Sequence, residues 1–200
     1  MPTTSKMGIS YPSSSDLVKD GATNMGTIAT TVDSKTGLVL LKTYSFSAVS
    51  SLSFDANTFT STFDNYVIWF YTTANSNANF YLRMRSAGTD ATSASYDRAG
   101  YSATSTTGPV SFGAQGETFG ILGALGTGNR CSAVINMYLP YQTQYTHWTC
   151  FVDSTNGPSP YLRHDNVTGQ YGIVASYDSA TLYPSTGTMT GSATVFGVNK

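Results

Sequence analysis

From Leu38 onward, apolar and polar residues alternate with a period of two, or form short apolar runs bounded by Gly, Asn, Ser and Pro. A period of two places successive side chains on opposite faces of a strand, and short runs between turn residues are typical of sandwiches. The pattern predicts an all-β fold: a jelly-roll-like antiparallel β-sandwich or a related Greek key. The eight predicted strands are Leu38 to Phe46, Tyr66 to Thr72, Phe80 to Arg85, Phe119 to Leu125, Ala133 to Leu139, Tyr145 to Val152, Tyr171 to Ser176 and Ala193 to Val198.

The composition supports strands and argues against two classes of partner. Aromatic residues make up 13% of the chain, charged residues only 10%, and Glu117 is the sole glutamate, whereas helical surfaces favour Glu and Lys. The net charge of -1 provides no long-range field that would attract nucleic acid or an anionic bilayer. Residues 1–7 contain no apolar leader core, and no later run is long enough for a membrane span. We therefore expect a soluble protein with no secretion signal, no membrane insertion and no nucleic-acid partner.

The first 37 residues differ from the rest, and we expect them to form a docking arm and a short helix ahead of a head domain at residues 38–200. Residues 1 to about 14 have neither regular period and are expected to be extended. A short heptad stripe follows at Val18, Met25, Ile28 and Val32. Two heptads are marginal in isolation, so the helix needs a partner. It either lies on its own domain or forms a neck where three copies meet, and the homotrimer is our prediction.

Several segments read as turns or loops. The Ser/Thr-rich stretch from Ala91 to Gly108 is expected to be a long surface loop and a contact region. The glycine-rich run from Gly113 to Gly128 lacks the Lys-Ser/Thr ending of a phosphate-binding loop, so turns and tight strand packing explain it better. The predicted turns are residues 75–77, 126–129, 156–158 and 166–169.

No arrangement of residues indicates catalysis, a metal or a cofactor. His147 and His164 are the only histidines, and neither accompanies a nucleophile motif. Strand alternation places His147 opposite Trp148, where a solvated position or a contact between subunits is expected. The acids Asp97, Glu117 and Asp153 read as solvated turn residues, not as a glycosidase pair. We therefore predict a protein that is not an enzyme and binds no cofactor.

Two further residue types bear on packing and contact. Cys131 and Cys150 have no zinc-type spacing and are expected to be buried reduced thiols, with a disulfide between adjacent strands as the alternative. Tyrosine occurs 14 times, and its rigid amphipathic ring suits subunit interfaces and recognition of sugars or proteins. The candidates for receptor contact, in or beside predicted loops, are Tyr96, Tyr101, Tyr141 and Tyr145; packing at the rim of the core is the alternative for each.

Four stretches resemble a family of phage particle proteins, chiefly of marine and other environmental phages, that includes tail-fibre-like and minor structural proteins. These stretches are residues 61–66, 82–90, 183–197 and, as a linker, residues 11–22. The resemblance implies a β-sandwich, trimerisation, no cofactor and assembly into a virion in the host cytoplasm. The expected partners are other virion proteins, bound through the arm, further copies of the chain, and a host surface glycan or protein. A capsid decoration protein is the alternative, and a surface-glycan hydrolase is a more remote one.

Overall fold

The computed structural model describes residue 21 and residues 23–28, 37–128, 130–156 and 161–199. Residues 23–28 are helical and thirteen strands follow them. The strands are β1 (Leu38–Val49), β2 (Leu52–Ser53), β3 (Asn65–Ala74), β4 (Ala78–Ser86), β5 (Thr89–Asp90), β6 (Tyr96–Thr104), β7 (Val110–Glu117), β8 (Gly120–Leu125), β9 (Arg130–Tyr138), β10 (Gln144–Asn156), β11 (Tyr161–Ala175), β12 (Ser179–Pro184) and β13 (Met189–Val198).

The strands form two antiparallel sheets that pack against each other. The large sheet has eight strands in the order β1-β13-β3-β9-β10-β11-β6-β7. The small sheet has five strands in the order β2-β12-β4-β5, and β8 also pairs with β4. Aromatic residues join the layers: the ring of Phe70 on β3 stacks on that of Phe80 on β4, with centroids 4.6 Å apart. The prediction of an all-β sandwich with a short helix is therefore confirmed, although the described strands number thirteen and not eight.

Trp148 on β10 occupies the middle of the core and explains two of the glycines. Its ring is fully buried, and a Cβ at Gly120 or Gly169 would lie 2.6 or 2.3 Å from it. Any larger residue at these positions would collide with the indole. At Gly120, tight packing thus accounts for part of the glycine-rich run, as expected from the sequence. The run also contains the last five residues of β7, residues 113–117, and β7 was not predicted as a strand.

The stretch from Ala91 to Gly108 is not the long surface loop that its composition predicts. Tyr96–Thr104 form β6, which pairs with β11 on one side and with β7 on the other. Small residues are required here because the strands lie close together. A Cβ at Gly100 would be 2.3 Å from the carbonyl oxygen of Asn166 and 3.1 Å from the ring of Phe112. Composition indicated a loop where tertiary packing selects small side chains.

The predicted turn at residues 166–169 is also wrong, because these residues lie inside the fifteen-residue strand β11. By contrast, residues 75–77 do form the connection between β3 and β4, and the Asn75 side chain accepts a hydrogen bond from the Thr188 N–H at 2.8 Å. Gly128 has a positive φ of 65°, as expected of a turn residue after β8. The predicted turn at residues 156–158 extends outside the described residues.

The helical residues 23–28 and the sheets belong to separate compact units, of which the second contains Leu40–Val198. Met25 and Ile28 of the predicted neck lie in the helical segment, and Met25 is exposed. Val18 and Val32 lie outside the described residues, as does most of the predicted arm. The neck and the division at residue 37 therefore stay predictions.

The expectation of buried, reduced thiols is confirmed. Cys131 on β9 and Cys150 on β10 are both buried and unbonded, and they lie at different positions along the paired strands, since Cys131 is opposite Ser154. Burial raises the pKa of Cys131 to about 12 and holds that of Cys150 well above its usual range. Neither thiol has the exposed, electropositive surroundings of a reactive cysteine.

Candidate functional site

A row of large apolar side chains crosses the outer face of the large sheet. The strand register places Trp69 of β3 opposite Val134 of β9, which is opposite Phe151 of β10. The row continues through Asn166 of β11 to Tyr101 of β6. We call these five residues the aromatic row. With neighbouring strands about 4.8 Å apart, the row extends about 19 Å across the sheet.

The apolar members of the row are strongly exposed for residues of their size. Trp69 is 52% exposed, Phe151 42%, Tyr101 40% and Val134 39%. The outer face of an antiparallel sheet is ordinarily polar, since only the inner face needs to pack on the core. A contiguous exposed apolar patch on a soluble domain indicates a surface that another molecule covers.

Two more aromatic residues enlarge one end of the row. Phe196 of β13 packs against Trp69 with ring centroids 4.6 Å apart and an angle of 59° between the planes. Tyr71 lies two residues beyond Trp69 on the same face of β3 and is 43% exposed. Aromatic rings at one end of a flat face supply the large contact areas that dominate many protein interfaces.

The polar groups beside the row are bonded to one another. The Asp153 carboxylate lies 2.7 Å from Nδ1 of His164, and the Asn166 amide donates a hydrogen bond to the Tyr101 hydroxyl at 3.3 Å. One row away, the Asn136 amide donates to the Thr149 hydroxyl at 3.1 Å. These polar groups can be covered without losing every hydrogen bond, which lowers the cost of burying this face.

The order of residues across the sheet does not provide a catalytic triad. Ser132 lies opposite Asp153, and Asp153 lies opposite His164, so the acid is between the hydroxyl and the imidazole. Nucleophilic catalysis needs the imidazole beside the nucleophile, within hydrogen-bonding distance. Ser132 and His164 are two strand spacings apart, about 10 Å. His164 therefore does not stand beside Ser132 in the arrangement that a triad requires.

Of the three acids considered for glycoside cleavage, Asp97 and Asp153 are far apart, and Glu117 is held in an ion pair. Asp97 lies opposite Gln170, which is opposite His147, six residues before Asp153 on β10. Asp97 and Asp153 are thus roughly 20 Å apart, whereas the carboxyl groups of glycosidases lie within about 10 Å of each other. Glu117 forms an ion pair with Arg98, with 2.9 Å between Oε2 and Nε. Each acid has a different structural partner.

A polar cleft lies on the same face, four residues along β10, β11 and β6 from the row. A volume of about 310 Å³ is lined by Asp97, Gln115, His147, Thr168 and Gln170, among others. The Gln170 amide and the Gly116 N–H donate to Asp97 and hold the pKa of its carboxyl below the ordinary value. His147 also borders a second cleft of about 330 Å³, which contains Tyr145 and Val174. His147 is exposed, as the strand alternation predicts.

The structure separates the four tyrosines proposed as receptor contacts. Tyr96 is not in a loop: it is buried in β6, accepts a hydrogen bond from the Met84 N–H at 2.9 Å and donates to the Ala91 carbonyl at 3.0 Å. Tyr101 lies in the aromatic row, and Tyr145 is 47% exposed beside His147. Tyr141 lies in the turn before β10 and is partly exposed. Only Tyr101 and Tyr145 are strongly exposed.

Trp69, Val134 and Phe151 were missed because their segments were read only as strands. A signal was present in β3, where Tyr66, Ile68 and Phe70 alternate with Val67, Trp69 and Tyr71, so both faces of the strand are apolar. A strand with two apolar faces needs a covering layer on each side. Within the described ranges, the sandwich provides a layer on one side of β3 only.

Comparisons with protein-family models, curated proteins and solved structures find no match. Within the residues that the structure describes, no helix is long and apolar enough to cross a membrane. In the same part of the chain, no group of three or more His, Cys, Asp or Glu side chains could hold a metal ion.

Proposed function

We propose that this protein is a non-enzymatic structural protein of a bacteriophage particle, in which three copies assemble through the aromatic row. The observation that carries this proposal is the row itself: three contiguous exposed apolar side chains, Trp69, Val134 and Phe151, with the exposed Tyr101 one strand beyond Asn166. The sequence resemblance to phage appendage proteins supplies the biological setting. The first 37 residues dock the head to the particle, and the surfaces outside the row face the host.

The chemistry of the row fits a protein partner better than a small ligand. Small-molecule sites are concave and hold unpaired polar groups that orient the ligand. The row is on a flat sheet, and the polar groups beside it already bond to each other. Protein interfaces are enriched in Trp, Tyr and Phe and depleted of charge at their centre. Beside the row, the ionisable side chains of Asp153 and His164 are paired with each other.

A second copy of the chain is the partner with the clearest rationale. The predicted neck would bring copies together in parallel at high local concentration, so that a head surface of modest affinity becomes occupied. Closed rotational symmetry then buries the row of each copy against its neighbour. A capsid decoration protein would instead place the row against the shell, and the experiment below separates the two.

Sedimentation of the full-length protein over a wide concentration range tests the assembly. We expect a trimer, and a concentration-independent monomer would contradict assembly through the row in solution. If the row instead binds the capsid shell, we expect a monomer in solution that forms trimers only on assembled particles. That result would make capsid decoration the better interpretation.

Truncation tests the role of the first residues. A chain lacking residues 1–33 is expected to keep the sandwich, because the first strand begins at Leu38, and to fail to join particles. Circular dichroism verifies folding, and quantitative immunodetection on purified particles verifies incorporation. Normal incorporation of the truncated chain would show that docking lies in the head.

A further inference from the structure

The outer face of the small sheet carries a cleft of about 690 Å³ whose character is the opposite of the aromatic row. Because Leu82 and Met84 of β4 are buried in the core, Arg83 and Arg85 point outward. Thr181 and Tyr183 of β12 stand beside them. The rest of the lining is rich in hydroxyls and comes from β2, the β4–β5 hairpin and the segment after it: Ser51, Ser53, Gly88, Thr89, Asp90 and Thr92.

One of the two arginines is neutralised within the cleft. Nε of Arg85 lies 3.3 Å from Oδ1 of Asp90, and its other nitrogens donate to the Thr181 hydroxyl and to the Gly88 carbonyl. The Thr181 hydroxyl in turn donates to Asp90 Oδ1 at 2.7 Å. Arg85 and Asp90 thus form an ion pair in the wall of the cleft and together contribute no net charge.

Arg83 remains as an uncompensated cation. Its Nε donates to the Thr118 carbonyl at 3.2 Å, and its guanidinium lies 5.1 Å from the centre of the Tyr183 ring. Among the described residues it has no carboxylate partner, and its two terminal nitrogens donate no hydrogen bond. A guanidinium that is positioned by a backbone bond and an aromatic ring, with its terminal N–H groups available, is suited to bind a carboxylate.

The Tyr183 hydroxyl gives an independent indication of a ligand. The oxygen is buried and has no hydrogen-bond partner among the described residues, although the side chain lines the cleft. Burial raises the pKa of this phenol, so it remains protonated and able to donate at neutral pH. Leaving a buried hydroxyl unpaired costs about 1–3 kcal/mol, so such groups in proteins usually have a partner.

We propose that this cleft binds an acidic saccharide, with the sugar carboxylate held by Arg83 and the Tyr183 hydroxyl. The Thr89 hydroxyl and Oδ2 of Asp90 lie in the same cleft and match the hydroxyls of the sugar ring, and the Ser53 hydroxyl, which is bonded to the Thr181 hydroxyl, can still accept a hydrogen bond. Recognition of a carboxylate together with several hydroxyls selects a uronic-acid-type sugar over a simple anion. The inference goes beyond the proposed virion role and does not require it.

Titration calorimetry on the full-length protein tests the ligand class with four probes. Trigalacturonate supplies carboxylates and hydroxyls, its methyl ester keeps the hydroxyls without the charge, acetate supplies the carboxylate alone, and a glutamate tripeptide is an acidic peptide. We expect trigalacturonate to bind with a Kd of about 1 mM or tighter and the other three at least about tenfold more weakly. No binding of trigalacturonate overturns the proposal. Equal binding of the ester, of acetate or of the peptide also overturns it, by showing that the charge, the hydroxyls or the sugar is not recognised.

Two variants locate the site. Arg83→Gln should weaken trigalacturonate binding at least about tenfold, whereas Arg130→Gln, an exposed arginine on β9 of the other sheet, should leave it unchanged. Tyr183→Phe preserves the ring under Arg83 and removes only the hydroxyl. It should weaken binding severalfold without lowering the midpoint of urea unfolding, because no internal hydrogen bond is lost. Unchanged affinity in both cleft variants would overturn the assignment, and so would a destabilised Tyr183→Phe protein. Both results are independent of whether the protein joins a phage particle.

Discussion

The two outer faces of the sandwich differ in whether their polar groups already have hydrogen-bond partners. On the large sheet, the aromatic row is flat and its polar neighbours are bonded to each other. On the small sheet, the cleft around Arg83 is concave, and the described part of the chain supplies neither a carboxylate for this cation nor a partner for the buried Tyr183 hydroxyl. The first surface can be covered by an apolar partner at little polar cost, whereas the second is incomplete until a polar ligand enters. Hydrogen-bond satisfaction, more than exposure, distinguishes an assembly surface from a ligand site.

The largest expected effect compares adjacent residues on the two faces of β3. Phe70 points into the core and Trp69 points outward. Phe70→Ala should lower the free energy of unfolding by about 3–5 kcal/mol, and Trp69→Ala by only about 1–2 kcal/mol, because half of the indole is already in water. Urea unfolding of both variants measures the difference. Equal losses would show that the row belongs to the folding core and would remove the basis of the comparison.

The second effect concerns assembly through the row. Replacing Trp69 and Phe151 with Thr keeps strand propensity but removes the two most exposed rings of the aromatic row. Each ring at the centre of an interface typically contributes about 2 kcal/mol or more, so association should weaken at least thirtyfold or so per residue. Sedimentation equilibrium measures this, with Val110→Thr on the edge strand β7 as the matched control. A double variant that associates normally would assign the row to a different partner.

Salt should change ligand binding at the cleft and association through the row differently, and both changes should be smaller than the effect of the double variant. Raising NaCl from about 0.1 M to about 1 M shortens the screening length from roughly 10 Å to roughly 3 Å. Binding of trigalacturonate at Arg83 should weaken severalfold, whereas association through the row should be unchanged or slightly tighter, since apolar burial is not screened. Calorimetry and sedimentation at the two salt concentrations make the measurement. A row that dissociated in salt would be an electrostatic surface.

The smallest expected effect is a change in the pKa of Asp97. Like the polar groups beside the row, its carboxylate is already hydrogen-bonded within the protein. The Gln170 amide is the main cause of its lowered pKa, so Gln170→Ala should raise the Asp97 pKa toward 3.8. Because the pKa of Asp97 is lower in the folded protein, the ionised carboxylate stabilises the fold at pH values above 3.8. This stabilisation is lost as the pH falls through the folded-state pKa. Carboxyl NMR titration measures the shift, and Gln115→Ala in the same cleft is the control.

The sequence predicts the fold class better than it predicts individual surfaces. Strand periodicity and the scarcity of charge were sufficient for the sandwich, because these are local signals. Strand β6 was missed because Gly100 and its small neighbours look like a loop until β11 is placed against them. Likewise, Gly169 reads as a turn residue, although it is required under the indole of Trp148. Both errors arise from contacts between residues that are distant in the chain.

The candidate sites were harder to predict for the same reason. Alternation shows that Trp69 and Phe70 lie on opposite faces, but the sequence does not show which face the second sheet covers. The partners of Arg83 and Tyr183 depend on β4, β12 and the β4–β5 hairpin coming together. The sequence of residues 82–90 alone does not indicate a cleft. Their place around the cleft follows from the strand pairing.

The enclosed thiols allow the opening of the sandwich to be followed in time. Cys131 and Cys150 lie on neighbouring central strands of the large sheet and are sealed from solvent. A thiol-specific reagent therefore reacts with them only after β9 and β10 have separated from the core, and at a rate governed by that opening. Labelling kinetics on the unaltered chain report how often its centre becomes accessible, and how strongly association of copies or a bound sugar suppresses that event.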